Sequence, residues 1–112
     1  MAFTKTVSIS NKDNFGISPE IRLYNLRDAG FIKNPNNNVW VYIGILEPVK
    51  GLEESIKLKV YFNDDLETFR MNVVNANENI NIDIYSLNDQ DIITQYKFIT
   101  QFLIERNIIT SI

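Results

Sequence analysis

The sequence predicts an α+β fold in which antiparallel β-sheets pack against one long C-terminal helix, and three observations carry that prediction. Apolar residues alternate strictly through the middle of the chain, as a sheet with one buried face requires. Beyond residue 90 the apolar spacing becomes that of a helix. The apolar arc on that helix is wider than one sheet face can cover, so a second layer or a partner chain must touch it. The expected arrangement is a meander over 55–85 plus N-terminal strands, packed on a helix at about 87–106. A chain of 112 residues, 45% hydrophobic and 12% aromatic, supplies enough apolar surface for one core, so a single domain over 1–112 is expected.

From the N-terminus, Phe3, Val7 and Ile9 alternate, the turn Asn11-Lys12-Asp13-Asn14 follows, and a short strand is expected from Phe15 to Ile17. Ser18 to Phe31 carries two readings. Ser18-Pro19 resembles a helix start and Gly30 a helix stop. Against that, Ile21 and Leu23 alternate with Arg22 and Tyr24, which suits a strand followed by one helical turn over Leu26 to Ala29, and this second reading is preferred. Asn34 to Asn38 reads as a hairpin-type loop, because Pro35 cannot donate to a ladder. Val39 to Leu46 is a strand with two apolar faces, Val39, Val41, Ile43 and Ile45 on one and Trp40, Tyr42 and Leu46 on the other, and so is central or covered on both sides.

The meander follows. Ile56, Leu58, Val60 and Phe62 alternate with Lys57, Lys59 and Tyr61; Phe69, Met71 and Val73 resume after the turn at Asn63 to Glu67; Ile80, Ile82 and Ile84 form the expected third strand. Burying that face contributes on the order of 20 kcal/mol before entropy is subtracted. Ser86 is the expected helix cap with Asp89 in the capping-box position, and Asp91 adds charge that suits a helix N-terminus. Ile92, Tyr96, Ile99 and Leu103 form the stripe, flanked by Phe98 and Phe102 on one side and Ile93 and Ile104 on the other. Asn107 is the expected end, and Ile108 to Ile112 an additional edge strand.

Function is constrained mainly by what is missing. The chain has no histidine and no cysteine, which removes the usual neutral-pH base, the usual thiolate nucleophile and the commonest soft-metal ligands. The four glycines are scattered, so no phosphate-cradling loop can be built. Fourteen acidic against eleven basic residues argue against nucleic-acid binding by phosphate neutralisation. No apolar run suits a signal peptide or approaches the ~20 residues of a membrane span, so a cytoplasmic protein that meets no membrane is expected. No cofactor and no metal are expected. Asp64, Asp65 and Glu67 read as an acidic hairpin turn, without calcium-loop spacing.

The candidate binding surface is a sheet face. If the strand at 39–46 pairs with that at 55–62, Trp40 and Tyr42 can lie beside Lys57, Lys59 and Tyr61, with Arg70 and Tyr85 on neighbouring strands. Aromatic rings among cations stack on planar groups or hold anions. The competing reading buries Trp40 and Tyr42 under a second layer and leaves the lysines to keep a face wet; the second layer demanded by the helix favours it.

The strings MAFTKTV, SPEIRLYNLRDAGF, LKVYFNDDLETFRM and QYKFITQFLIERNIIT together resemble a small family of uncharacterised bacterial proteins connected by description with amino-acid metabolism. The resemblance spans nearly the whole chain, and its motifs are those of a fold and not of catalysis. It implies two β-sheets packed on one helix, favours the strand reading of Ile21 to Tyr24, and supplies no catalytic residue. The leading expectation is therefore a non-enzymatic small-ligand-binding or accessory protein in amino-acid metabolism, monomeric or homodimeric, using Trp40, Tyr42, Lys57, Lys59, Tyr61 and Arg70. The alternative is a protein–protein interaction module that dimerises through its helix or a sheet edge. An enzyme using carboxylates or a lysine ranks third, for want of an organised constellation.

Overall fold

The computed structural model describes residues 3–112. Two antiparallel sheets pack against the C-terminal helix, α2 (Gln90–Glu105). The small sheet has the order β1 (Thr6–Ile9), β2 (Asp13–Ile17), β7 (Ile109–Ser111). The large sheet has the order β3 (Ile32–Asn34), β4 (Val39–Ile45), β5 (Lys57–Asn63), β6 (Phe69–Val74). Thr4 joins them: its N–H donates to Phe69 O at 2.9 Å and its carbonyl accepts from Phe69 N at 2.8 Å, so the segment leading into β1 lies along the edge of β6. No helix among the described residues is long and apolar enough to cross a membrane.

The inner face of the large sheet carries Leu58, Val60, Phe62, Phe69, Met71 and Val73, all buried, with Phe62 stacked on Phe69 at 5.2 Å. Helix α2 lays Ile92, Tyr96, Ile99 and Leu103 on this core. Gly44 of β4 permits the close approach, because a Cβ there would stand 2.7 Å from Ile99 Cδ1. The small sheet adds Val7, Ile9, Phe15 and Ile109. The expected second layer is present, and β7 is the expected edge strand.

Four local expectations need correction. Ile21 to Tyr24 is not a strand: helix α1 (Leu23–Ala29) forms instead. Leu26 and Ala29, three apart, bury on one helical face, and Asn25 Oδ1 accepts from Arg22 N at 2.7 Å while Asn25 N donates back to Arg22 O. Gly30, at φ 101°, ends the helix as expected. The third strand of the meander is reduced to one bridge between Val74 and Asn81. Thr4 already occupies one end of the β6 edge, and Ile84–Leu87 closes into a 3-10 turn, so Ile80 is left exposed while Ile84 is buried. The helix is capped by Asp89, whose carboxylate accepts from Asp91 N and Ile92 N, and not by Ser86. Phe98 is 67% exposed and takes no part in the core, whereas Ile93 is buried and Phe102 and Ile104 pack partly. Asn107, at φ 61°, ends α2 as its residue type suggests.

Candidate functional site

Register decides which of the expected surface residues can meet. Trp40 faces Phe62 and Tyr42 faces Val60 across β4 and β5, on the inner side of the sheet. On the outer side run two cross-strand rows, Val41–Tyr61–Arg70 and Ile43–Lys59–Asn72. Trp40 and Tyr42 are therefore on the opposite face from Lys59, Tyr61 and Arg70, and the combined surface does not assemble. Trp40 is 5% exposed; its Nε1 donates to Asp64 Oδ1 at 3.0 Å at the rim of the core. That hydrogen bond, helped by Lys33 at 3.6 Å, holds the Asp64 carboxyl below its usual range. Tyr42 is half-buried against Phe31, and burial raises its phenol pKa.

Lys57 shares the outer parity, yet the turn at 75–80 folds over it. Its ammonium donates to Ala76 O at 2.9 Å and lies 3.6 Å from Glu78 Oε2, with 3% of the residue exposed. Lys59 bonds Glu78 directly. Burial opposes the charge of Lys59, but its bonds to Glu78 and Tyr61 outweigh this and raise its pKa; the same contact holds Glu78 below the ordinary carboxylate value. Beyond Lys59 the rings and cations alternate, with Lys59 Nζ 5.3 Å from the Tyr61 centroid and the Arg70 guanidinium 4.1 Å from Tyr61 and 5.2 Å from Phe3. Lys59 and Arg70 face outward with the Glu78 carboxylate, and the covered Lys57 adds a third positive charge beneath the turn, a balance that suits an anion lying against an aromatic ring.

Beside this row, a groove of about 520 Å³ follows the far edge of β4, lined chiefly by Ile32, Val41, Ile43, Ile45 and Leu52. The groove exists because β3 covers β4 only over Val39 to Val41.

One cluster joins residues that no sequence motif connects. Asp13 Oδ2 accepts from both Tyr85 Oη, at 2.5 Å, and Tyr96 Oη, at 2.7 Å. The three residues come from β2, the 3-10 turn and α2, with Asp13 more than 70 positions from either tyrosine in sequence. Burial first, then the hydrogen bond to Asp13 and its charge, pushes the Tyr85 phenol up to about 12 and that of Tyr96 higher still. The shared carboxylate ties the small sheet to the helix. Only the burial of Tyr96, predicted from its place in the stripe, hinted that its hydroxyl needed a partner. Among the described residues, no three histidine, cysteine, aspartate or glutamate side chains gather as a metal site. The carboxylates of the β5–β6 turn bind their own chain, Asp65 Oδ1 accepting from Glu67 N at 3.0 Å.

Comparison with known proteins shows the family and the fold. The model of the DUF1831 family, described as "Putative amino acid metabolism", matches residues 1–110. The crystal structure of a DUF1831 family protein from Lactobacillus plantarum is 29% identical, with a TM-score of 0.88 over 100% of this chain and 99% of that one. No curated protein matches.

Proposed function

Because the chain belongs to the DUF1831 family, we propose that it serves amino-acid metabolism as a non-enzymatic accessory protein, binding a small carboxylate on the outer face of the large sheet. One observation carries this reading: Val41–Tyr61–Arg70 and Ile43–Lys59–Asn72 are neighbouring rows of one face. A carboxylate beside Lys59 and Arg70 would have Tyr61 under its planar group and Val41 and Ile43 under an apolar tail. The absence of histidine and cysteine favours binding over turnover, since no neutral-pH base stands beside this face. Lys57 helps to fix the position of Glu78, which in turn sets the charge balance. Trp40 and Tyr42 contribute by packing the sheet from behind.

Amide chemical shifts titrated with apolar amino acids and the corresponding 2-oxo acids test the proposal. Shifts are expected at Lys59, Tyr61, Arg70 and Ile43, and Arg70→Gln should weaken binding by roughly tenfold or more, as loss of a charged hydrogen bond does. Shifts confined to other surfaces, or none, would overturn the reading.

A further inference from the structure

The large sheet ends on one side in an incomplete edge. Along β4, Leu46 N donates to Ile56 O, which fixes the alternation: the main-chain groups of even-numbered residues point to β5, and those of odd-numbered residues point away from it. The outward-pointing groups of Val39 and Val41 meet β3, which stops at Ile32. Phe31 has already turned inward, its N–H bonded to Leu26 O, and Gly30 N is bonded to Arg27 O. Among the described residues, none donates to or accepts from the outward main-chain groups of Ile43 and Ile45. Their side chains share the outer face with Ile32, 75% exposed, and Leu52, 52% exposed.

We infer that a second copy of this chain covers this edge, β4 pairing antiparallel with β4 of its partner about a two-fold axis at Gly44. The short open segment is self-complementary under a two-fold, which favours a second copy as its occupant, and the neighbouring bonds set the register. A two-fold at residue 44 sets Ile43 opposite the partner's Ile45 and Ile45 opposite the partner's Ile43. Both are outward-pointing positions, so four main-chain hydrogen bonds form and the open donors and acceptors are satisfied. A two-fold at Ile43 would set Val41 opposite the partner's Ile45, but β3 already holds Val41, and one at Ile45 would use the Glu47 N–H, which is already bonded to Ser55 Oγ. On the outer face the same register brings Ile43 and Ile45 of both copies into one apolar strip. Gly44 falls in the close, non-bonded pair, where strands approach to about 4.5 Å between Cα atoms. The pairing lies in the plane of the sheet and makes no use of Tyr61 or Arg70; Ile43 is common to it and to the carboxylate reading, so association measured without added ligand tests the pairing by itself. An interface of this length belongs to the small, weak class, below about 1,200 Å², and the dimer should depend on concentration.

Sedimentation velocity of the full chain between roughly 10 μM and 1 mM is expected to show a monomer–dimer equilibrium. Hydrogen exchange at the Ile43 and Ile45 amides should slow as concentration rises. In a sample mixing labelled and unlabelled chains, an intermolecular contact between the Gly44 α-protons is the signature of the register. Ile43→Lys, at a partly exposed position, should weaken dimerisation by more than about tenfold, with the circular dichroism of the wild type retained. Phe98→Ser, on the exposed side of α2, should leave the equilibrium unchanged. A chain that stays monomeric throughout, a dimer abolished by Phe98→Ser and not by Ile43→Lys, or Ile43 and Ile45 amides indifferent to concentration would each overturn the inference. Protection at those amides that appears only on adding an extended peptide would overturn it in favour of a foreign strand.

Discussion

On β5, Leu58, Val60 and Phe62 have no accessible surface, while Lys59 and Tyr61 between them remain partly exposed. The two faces of the large sheet are thus one residue out of phase and differ in what holds them. The inner face is closed by α2, through apolar contact and the glycine that lets Ile99 approach. The outer face is held by polar and cationic contacts among Lys57, Lys59, Glu78, Tyr61 and Arg70, which water can partly replace. Stability should therefore be concentrated on one parity of each strand, and variability of surface chemistry on the other.

The sharpest break of that contrast is Phe62→Ala against Tyr61→Ala. Urea unfolding should show a loss of about 3–5 kcal/mol for Phe62, through cavity formation, and about 1 kcal/mol for Tyr61. Equal losses would mean that the outer face is as closed as the inner. Next in size is the helix, where Leu103→Ala should cost about 2–5 kcal/mol and Phe98→Ala should stay within about 0.5 kcal/mol.

Tyr96→Phe should follow, at about 1.5–3 kcal/mol, because it removes a hydrogen bond to a carboxylate without changing shape. The same cluster gives the inner side an alkaline limit. Tyr85 titrates near 12 when folded, against an ordinary 10.0, so its contribution is complete below about pH 10 and is lost as pH rises towards 12. The outer face has an acid limit instead. Glu78 is depressed below its ordinary 4.5 by Lys59, so its smaller contribution is present above that pH and fades as pH falls through the folded value. Chemical unfolding across pH should show Asp13→Asn flattening the alkaline arm, and Glu78→Gln flattening the acid arm only.

The same parity explains what could be read from sequence. The α2 stripe and the buried faces of β5 and β6 were legible because polar residues separate their apolar ones at a fixed period. Val39 to Leu46 hid its orientation, since both of its faces are apolar; Gly44, on the even parity, was the one sign of which side a helix approaches. Ile21 to Tyr24 offered an alternation too short to tell from the helical spacing of Leu26 and Ala29. Asp13 and its two tyrosines could not be joined by any local pattern. Of the expected surface, the outer row of Lys59, Tyr61 and Arg70 sits on one face because β5 and β6 were read correctly. Trp40 and Tyr42 were joined to it only through the ambiguous strand.

Thr4 and Phe69 exchange a single reciprocal pair of main-chain bonds, and through that stitch the seven strands become one belt drawn across the buried side of α2. A belt fastened at one buckle resists opening until the buckle slips. The opening segment of the chain should then be released together with the rest of the core, and amide exchange at Phe69 should report global unfolding instead of fraying.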